Sequence, residues 1–261
     1  MQPKAIIFDL DDTLLWDKKS VATAFQVVCE TAAAETGVDP DALEARVREA
    51  ARNLYQAYDV YPFTQRIGIN PFEALWGVFD DAGEAFEKLH ALAPGYQYAA
   101  WMKGLQACGI EDPVLAARLA NFFPKARKQH PYLFEETLSV LNILQGNYPL
   151  LLLTNGAPSL QRNKLALTPE LNSYFDHIVI SGDVGFGKPE REIFEAALDL
   201  LQVDAKDALM VGDNLHTDIK GAVAAGIPAV WINHHGVKTE QVKPDYEIDR
   251  LQALLPLLQT V

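Results

Sequence analysis

The sequence predicts an α/β fold, a doubly wound parallel sheet carrying one inserted all-helical segment, and three observations lead there. Short apolar runs that end in polar residues recur along the chain: residues 5–8 before Asp9, 150–153 before Thr154, 178–180 before Ser181, 209–211 before Gly212 and 229–232 before Asn233. Continuous apolar runs of this length mark strands buried on both faces, the pattern of a parallel sheet. The segments between them have helical spacing, as in residues 190–201, where Ile193, Phe194, Ala197, Leu198 and Leu201 share one side. Strand and helix therefore alternate as βαβ units. The third observation is an interruption: from about Asp17 to Arg127 no strand run occurs at all.

Taken in order, the first strand ends at Asp9 and the interruption follows it. Residues 21–35, 40–58, 72–92 and 113–123 have the apolar spacing and alanine content of helices, and Pro94-Gly95, Gly109 and Asp112-Pro113 read as turns between them. The expected organisation is a sheet domain of residues 1–16 and 128–261 with a helical domain of residues 17–127 inserted after the first strand. An aromatic stretch, residues 58–63 with Trp76, reads as core of the insert, and Trp16 as a packing residue at its start. Beyond the insert come the second and third strands, the 190–201 helix, the fourth strand, a helix over 219–225 and the fifth strand. His234-His235 reads as a turn after it.

Composition sets outer bounds. The chain has 261 residues, enough for one large domain or two modest ones, with 49% hydrophobic and 22% charged residues as in soluble globular proteins. No stretch reaches the ~18 apolar residues needed to span a bilayer, and the acid at position 9 comes too early for a signal peptide, so a cytoplasmic location is expected. Two cysteines, Cys29 and Cys108, are too few for a disulfide framework or a cysteine-rich zinc site. The formal net charge of −13 repels nucleic acid and anionic membranes, whereas a small anion can still bind beside a local metal ion and a lysine.

Every polar cluster with chemical potential lies just past the C-terminal end of an expected strand, where ligands bind in open α/β sheets. Strand one is followed by Asp9-Leu10-Asp11-Asp12-Thr13-Leu14. Alternate residues of an extended segment face the same way, so Asp9 and Asp11 point together, and two close carboxylates call for a cation. A calcium loop fits badly, since Leu14 stands where its glycine belongs and Ser20 where its glutamate belongs. Strand two is followed by Thr154-Asn155-Gly156, a hydroxyl, an amide and backbone N–H groups ahead of a helix, which suit an anion or an ordinary turn. Gly187-Lys188-Pro189 supplies a point charge for a phosphoryl oxygen. The last cluster is Gly212-Asp213-Asn214-Leu215-His216-Thr217-Asp218, in which Asp213 falls at a strand end, Asp218 near a helix start, and His216 in the loop between.

These four clusters, in this order and spanning Asp9 to Asp218, resemble the four motifs of the haloacid dehalogenase superfamily, with the helical insert where that family's type 1 cap sits. The resemblance implies a Rossmann-like core and a phosphatase that hydrolyses a small phosphate ester through an aspartyl-phosphate. It makes Asp9 the nucleophile, Asp11 the general acid and then base, and Lys188 a catalytic and phosphate-binding cation. Thr13, Thr154 and Asn155 become phosphate contacts, and Asp9, Asp11 (by its backbone carbonyl), Asp213 and Asp218 hold Mg²⁺. Dehalogenases of the family lack the second acid of the first motif, so Asp11 points to phosphate esters, and P-type ATPases need membrane spans. A phosphomutase shares these residues and stays an alternative, as does a phospho-accepting signalling domain, although that is shorter and has no such insert. O-phosphoserine is the leading substrate, followed by phosphoglycolate or sugar phosphates, and the expected assembly is a monomer or homodimer.

Overall fold

The computed structural model describes residues 3–238 and 242–260. The chain divides into two compact units: residues 1–16, 133–156 and 164–261 form one, and residues 17–132 and 157–163 the other. The expected second boundary at 127/128 thus lies five residues before the observed one. The helix that ends the insert runs on to Gln129, and Tyr132 donates its N–H to Ser20 Oγ at 3.2 Å, which ties it to the insert.

The first unit is a six-stranded sheet in the order β3-β2-β1-β4-β5-β6, every neighbouring pair parallel. Its strands are β1 (Ala5–Phe8), β2 (Leu150–Thr154), β3 (His177–Ile180), β4 (Ala208–Gly212), β5 (Ala229–Ile232) and β6 (Tyr246–Ile248). β1 lies in the middle, with Ile6 paired to Leu150 on one side and to Leu209 on the other. Successive strand residues face opposite sides, and the two core layers follow that rule. Ile6, Phe8, Leu150, Leu152, Leu209 and Val211 pack on one face against α7 (Thr137–Leu144) and α12 (Leu254–Thr260). Ile7, Leu151, Leu153 and Met210 pack on the other against α10 (Arg191–Leu201) and α11 (Lys220–Ala224). Short α9 (Ser181–Val184) follows β3, and α8 (Pro158–Leu167) follows β2, its last four residues belonging to this unit. All five expected strands are present. The sixth was not anticipated, because three half-buried or exposed residues around Glu247 at a sheet edge leave no apolar run to recognise.

The second unit consists of α1 (Asp17–Thr36), α2 (Pro40–Gln56), α3 (Tyr61–Ile67), α4 (Pro71–Ala74), α5 (Glu84–Ala107) and α6 (Pro113–Gln129), with the start of α8. Phe25, Trp101 and Phe123 meet at its centre with ring centroids 4.6–6.0 Å apart. Arg127 is buried, its guanidinium pairing with Asp17 and lying 4.8 Å over the Trp76 ring. The helix expected over 72–92 is in fact two. Asn70 and Glu73 close a capping box that starts α4, the chain then leaves helical geometry with Phe79 at φ 58°, and α5 begins at Glu84. The turn expected at Pro94-Gly95 is absent: α5 runs through it. Ala93, Tyr96, Ala100 and Trp101 all bury on one face of that helix, and the packing outweighs the local cost of proline and glycine. Among the described residues no helix is long and apolar enough to cross a membrane.

α2 and α5 lie close together at Gly104, where a Cβ would stand 2.3 Å from Val47 Cγ2 and 3.0 Å from its Cα. Gly95, on the exposed side of the same helix, has nothing within 4 Å. Gly104→Ala is therefore expected to destabilise the protein by about 1–3 kcal/mol. Gly95→Ala is expected to stabilise it by about 0.5–1 kcal/mol. Urea or thermal unfolding of the two single variants checks both signs.

Candidate active site

Because β1, β2 and β4 are adjacent and parallel, their C-terminal ends bring Asp9, Thr154 and Asp213 to one edge of the sheet. Asp9 is held in place by its own N–H, which donates to Val211 O at 3.0 Å and so continues the β1–β4 ladder one residue beyond the strand. Thr13, fully buried, returns to the same carboxylate: its hydroxyl donates to Asp9 Oδ2 at 3.1 Å and accepts the Asp213 N–H at 3.0 Å. One side chain thus joins the loop after β1 to the loop after β4. Asp213 is fixed from a second side by Trp231, whose indole N–H donates to the Asp213 carbonyl at 2.8 Å.

Lys188 stands at the centre. Its buried ammonium donates to Asp9 Oδ1 at 2.5 Å and to the Leu153 carbonyl at 2.7 Å, and pairs with Asp218 Oδ1 at 2.8 Å. Three donors meet three acceptors from three different segments. Asn155 brackets the lysine's backbone, accepting the Lys188 N–H on Oδ1 at 2.8 Å and donating from Nδ2 to the Lys188 carbonyl at 2.9 Å. The amide read in sequence as an anion cradle is therefore engaged in holding the lysine. Asp218 also accepts the Asn214 N–H on Oδ2 at 3.0 Å. A Cβ on Gly212 would fall 2.3 Å from that oxygen, so only glycine lets the acid lie against the strand end. His216 sits in a π turn over Leu215–Ile219, exposed, its N–H donating to Asn214 Oδ1 at 2.9 Å.

Asp11 meets a second lysine. Its Oδ2 accepts a hydrogen bond from Lys164 Nζ at 2.8 Å. Asp12, next in the chain, has a left-handed backbone (φ 61°), and its carbonyl lies 3.0 Å from His234 Nε2. His234 stacks on Phe134 (4.6 Å, 13°), and Phe134 on Trp16 (5.2 Å, 13°). Trp16 packs as expected. Sequence reasoning missed Lys164, Trp231, Phe134 and the contact made by His234. Lys164 lies in a helix ten residues past Thr154, and Trp231 inside a strand, so neither stood in a polar cluster.

Asp9, Asp213 and Asp218 each offer a carboxylate oxygen, and the three oxygens lie within 4.8 Å of one another, two of the residues being buried. Burial is the largest influence on Asp9 and pushes it up to about 6, against the opposing pull of Lys188 and with the Asp218 charge adding to the rise. Burial alone lowers a lysine, yet for Lys188 the charges of Asp218 and Asp9 outweigh it and leave the group raised. Two acids thus share one ammonium, and Asp213 adds a third carboxylate beside them. That surplus of negative charge in an all-oxygen donor set suits a hard divalent cation such as magnesium.

The haloacid dehalogenase-like hydrolase family model matches residues 3–226. The chain is 34% identical over 251 residues to a phosphoserine phosphatase of Thermus thermophilus, covering 95% of this chain and 96% of that protein. It is 34% identical over 184 residues to human N-acylneuraminate-9-phosphatase, covering 68% of this chain and 73% of that one. Among solved structures, the magnesium-bound hydrolase YfnB of Bacillus subtilis superposes with a TM-score of 0.69 at 23% identity, covering 99% of both chains.

An ordinary aspartate ionises near 3.8, so the folded state holds the Asp9 proton more tightly than the unfolded chain does. The resulting penalty is absent at pH values below about 4 and complete above about 6. In metal-free protein at pH 7.5, Asp9→Asn is accordingly expected to raise stability, by on the order of 1 kcal/mol. Thermal melts in EDTA at pH 7.5 and pH 4.5 check this, the gain shrinking at the lower pH.

Proposed function

The chain belongs to the haloacid dehalogenase-like hydrolases, and on that premise we propose a Mg²⁺-dependent phosphomonoesterase acting on a small phosphorylated metabolite through an aspartyl-phosphate. The observation that carries this reading is the buried Lys188 ammonium between the Asp9 and Asp218 carboxylates. It supplies preset positive charge next to a carboxylate able to attack phosphorus, and electrostatic stabilisation of that kind dominates phosphoryl transfer.

In the proposed first half-reaction an Asp9 carboxylate oxygen bonds to phosphorus, the bond from phosphorus to the alcohol oxygen breaks, and Asp11 gives that oxygen its proton. In the second, water attacks phosphorus, the bond to Asp9 breaks, and Asp11 takes the water's proton. Lys188 offsets charge on the transferring group throughout, and Thr154 contributes a hydroxyl at the end of β2. Thr13 and Asn155, expected as phosphate contacts, are assigned a positioning part: Thr13 holds Asp9 and the Asp213 backbone, Asn155 the Lys188 backbone. Asp9, Asp213, Asp218 and the Asp11 backbone carbonyl would hold Mg²⁺, which when bound neutralises charge between the phosphoryl oxygens and Asp9.

For the substrate we favour O-phosphoserine, supported by the near full-length similarity to the Thermus thermophilus phosphoserine phosphatase. A metabolite of this size agrees with a chain whose net charge of −13 disfavours polyanionic partners.

A panel of phosphorylated metabolites with Mg²⁺ is expected to release inorganic phosphate, fastest from O-phosphoserine. An isomeric phosphate ester in place of inorganic phosphate would assign a mutase. Asp9→Asn is expected to lower kcat by on the order of 10⁴-fold or more. Lys188→Ala is expected to lower it by about 10²–10³-fold. Wild-type turnover in either variant contradicts the assigned role.

A further inference from the structure

We propose that Lys164 is a positioning residue for the acid–base step: its ammonium fixes the Asp11 carboxylate in the orientation from which it gives and takes the proton. The inference rests on the reading of Asp11 as the acid and base. Lys164 lies in the last turns of α8, its side chain 1% exposed, and donates to Asp11 Oδ2 at 2.8 Å, whereas the Asp11 side chain is 25% exposed. Lysine is among the residues least often fully buried, because its ammonium loses strong hydration. A lysine buried at this cost, with its head on a partly buried acid of the first motif, is placed for what it holds.

The two acids are divided between two lysines. Asp9 receives Lys188 and the Thr13 hydroxyl, and Asp11, two residues on, receives Lys164. Leu10 between them is fully buried, so the backbone that carries both is anchored. Asp12 beyond adopts φ 61°, with its N–H donating to Leu15 O at 2.6 Å. With the backbone fixed, the remaining freedom of Asp11 is its side-chain torsion. A carboxylate is planar, so holding Oδ2 against Lys164 Nζ sets the direction of Oδ1. The anchor itself is firm: the Lys164 carbonyl accepts the Thr168 hydroxyl at 3.0 Å at the end of the helix. Lys164 exchanges no proton in either half-reaction; its part is to orient Asp11.

The test compares kcat/KM for two substrates. p-Nitrophenolate leaves without needing a proton, whereas the alkoxide of β-glycerophosphate requires one, so a defect in the acid shows selectively on the second. Lys164→Met is expected to lose roughly 10-fold or more on β-glycerophosphate beyond its loss on p-nitrophenyl phosphate. Lys164→Arg is expected to restore most of that difference. Asp11→Asn serves as the reference and is expected to show the same selectivity more strongly. Equal losses on both substrates, or none, in Lys164→Met while Asp11→Asn remains selective would overturn the assignment of Lys164. An Asp11→Asn variant without selectivity would instead remove Asp11 from its acid role, and Lys164 with it. Should Lys164→Met fail to fold, Lys164→Gln is read by the same two outcomes.

Discussion

The site depends on one buried ammonium. Lys188 Nζ reaches Asp9, Asp218 and the Leu153 carbonyl, and so ties the strand ends of β1, β2 and β4 to the loop that carries the lysine itself. The carboxylates are crowded out of water, and without a cation among them their repulsion would drive the loops apart or protonate the acids. The surrounding contacts follow from that demand. Asn155 holds the lysine's backbone on both its N–H and its carbonyl, Thr13 spans Asp9 and Asp213, and Gly212 withholds a side chain so that Asp218 can come close. A charge surplus that one lysine does not cancel is what a divalent cation would complete, and it is the same surplus that a transferring phosphoryl group would meet.

Much of this was legible in the sequence for a physical reason. Strands buried on both faces need unbroken apolar runs, and in a parallel sheet all their C-terminal ends lie on one side. The clusters at the ends of β1, β2 and β4 therefore had to converge, and Asp9, Thr154 and Asp213 do lie where that logic places them, while Lys188 reaches them from beyond α9. The parts that escaped depend on tertiary register rather than local pattern. Lys164 meets Asp11 across 153 residues, and Trp231 donates to Asp213 from within a strand whose apolar pattern hides its polar N–H. Asn155 was visible as a residue of interest but not as a support for Lys188, because a side-chain amide gives no sign of which backbone it will face. In the helical unit the signals failed differently: Pro94 and Gly95 mark a turn by local chemistry, yet the buried row from Ala93 to Trp101 keeps α5 continuous.

The helical unit has its own reason to be rigid. Arg127 is buried between the Asp17 carboxylate and the Trp76 ring, pinning the beginning of α1 to the end of α6. On the sheet unit, Trp16, Phe134 and His234 stack in sequence, with His234 reaching the carbonyl of Asp12. Trp16 and Phe134 lie next to two of the four positions where the chain passes from one unit to the other. The His234 contact with the Asp12 carbonyl helps hold the loop that bears Asp9 and Asp11.

The central claim is that Asp9 carries the phosphoryl group. The most direct measurement is to quench the protein with acid during turnover of O-phosphoserine and Mg²⁺, reduce with borohydride, and map the peptide spanning Asp9 by mass spectrometry. An acyl phosphate reduces to an alcohol, so the account predicts homoserine at position 9 in protein quenched during turnover and aspartate there without substrate. Homoserine at another position, or unmodified Asp9 under conditions where phosphate is being released, would contradict it.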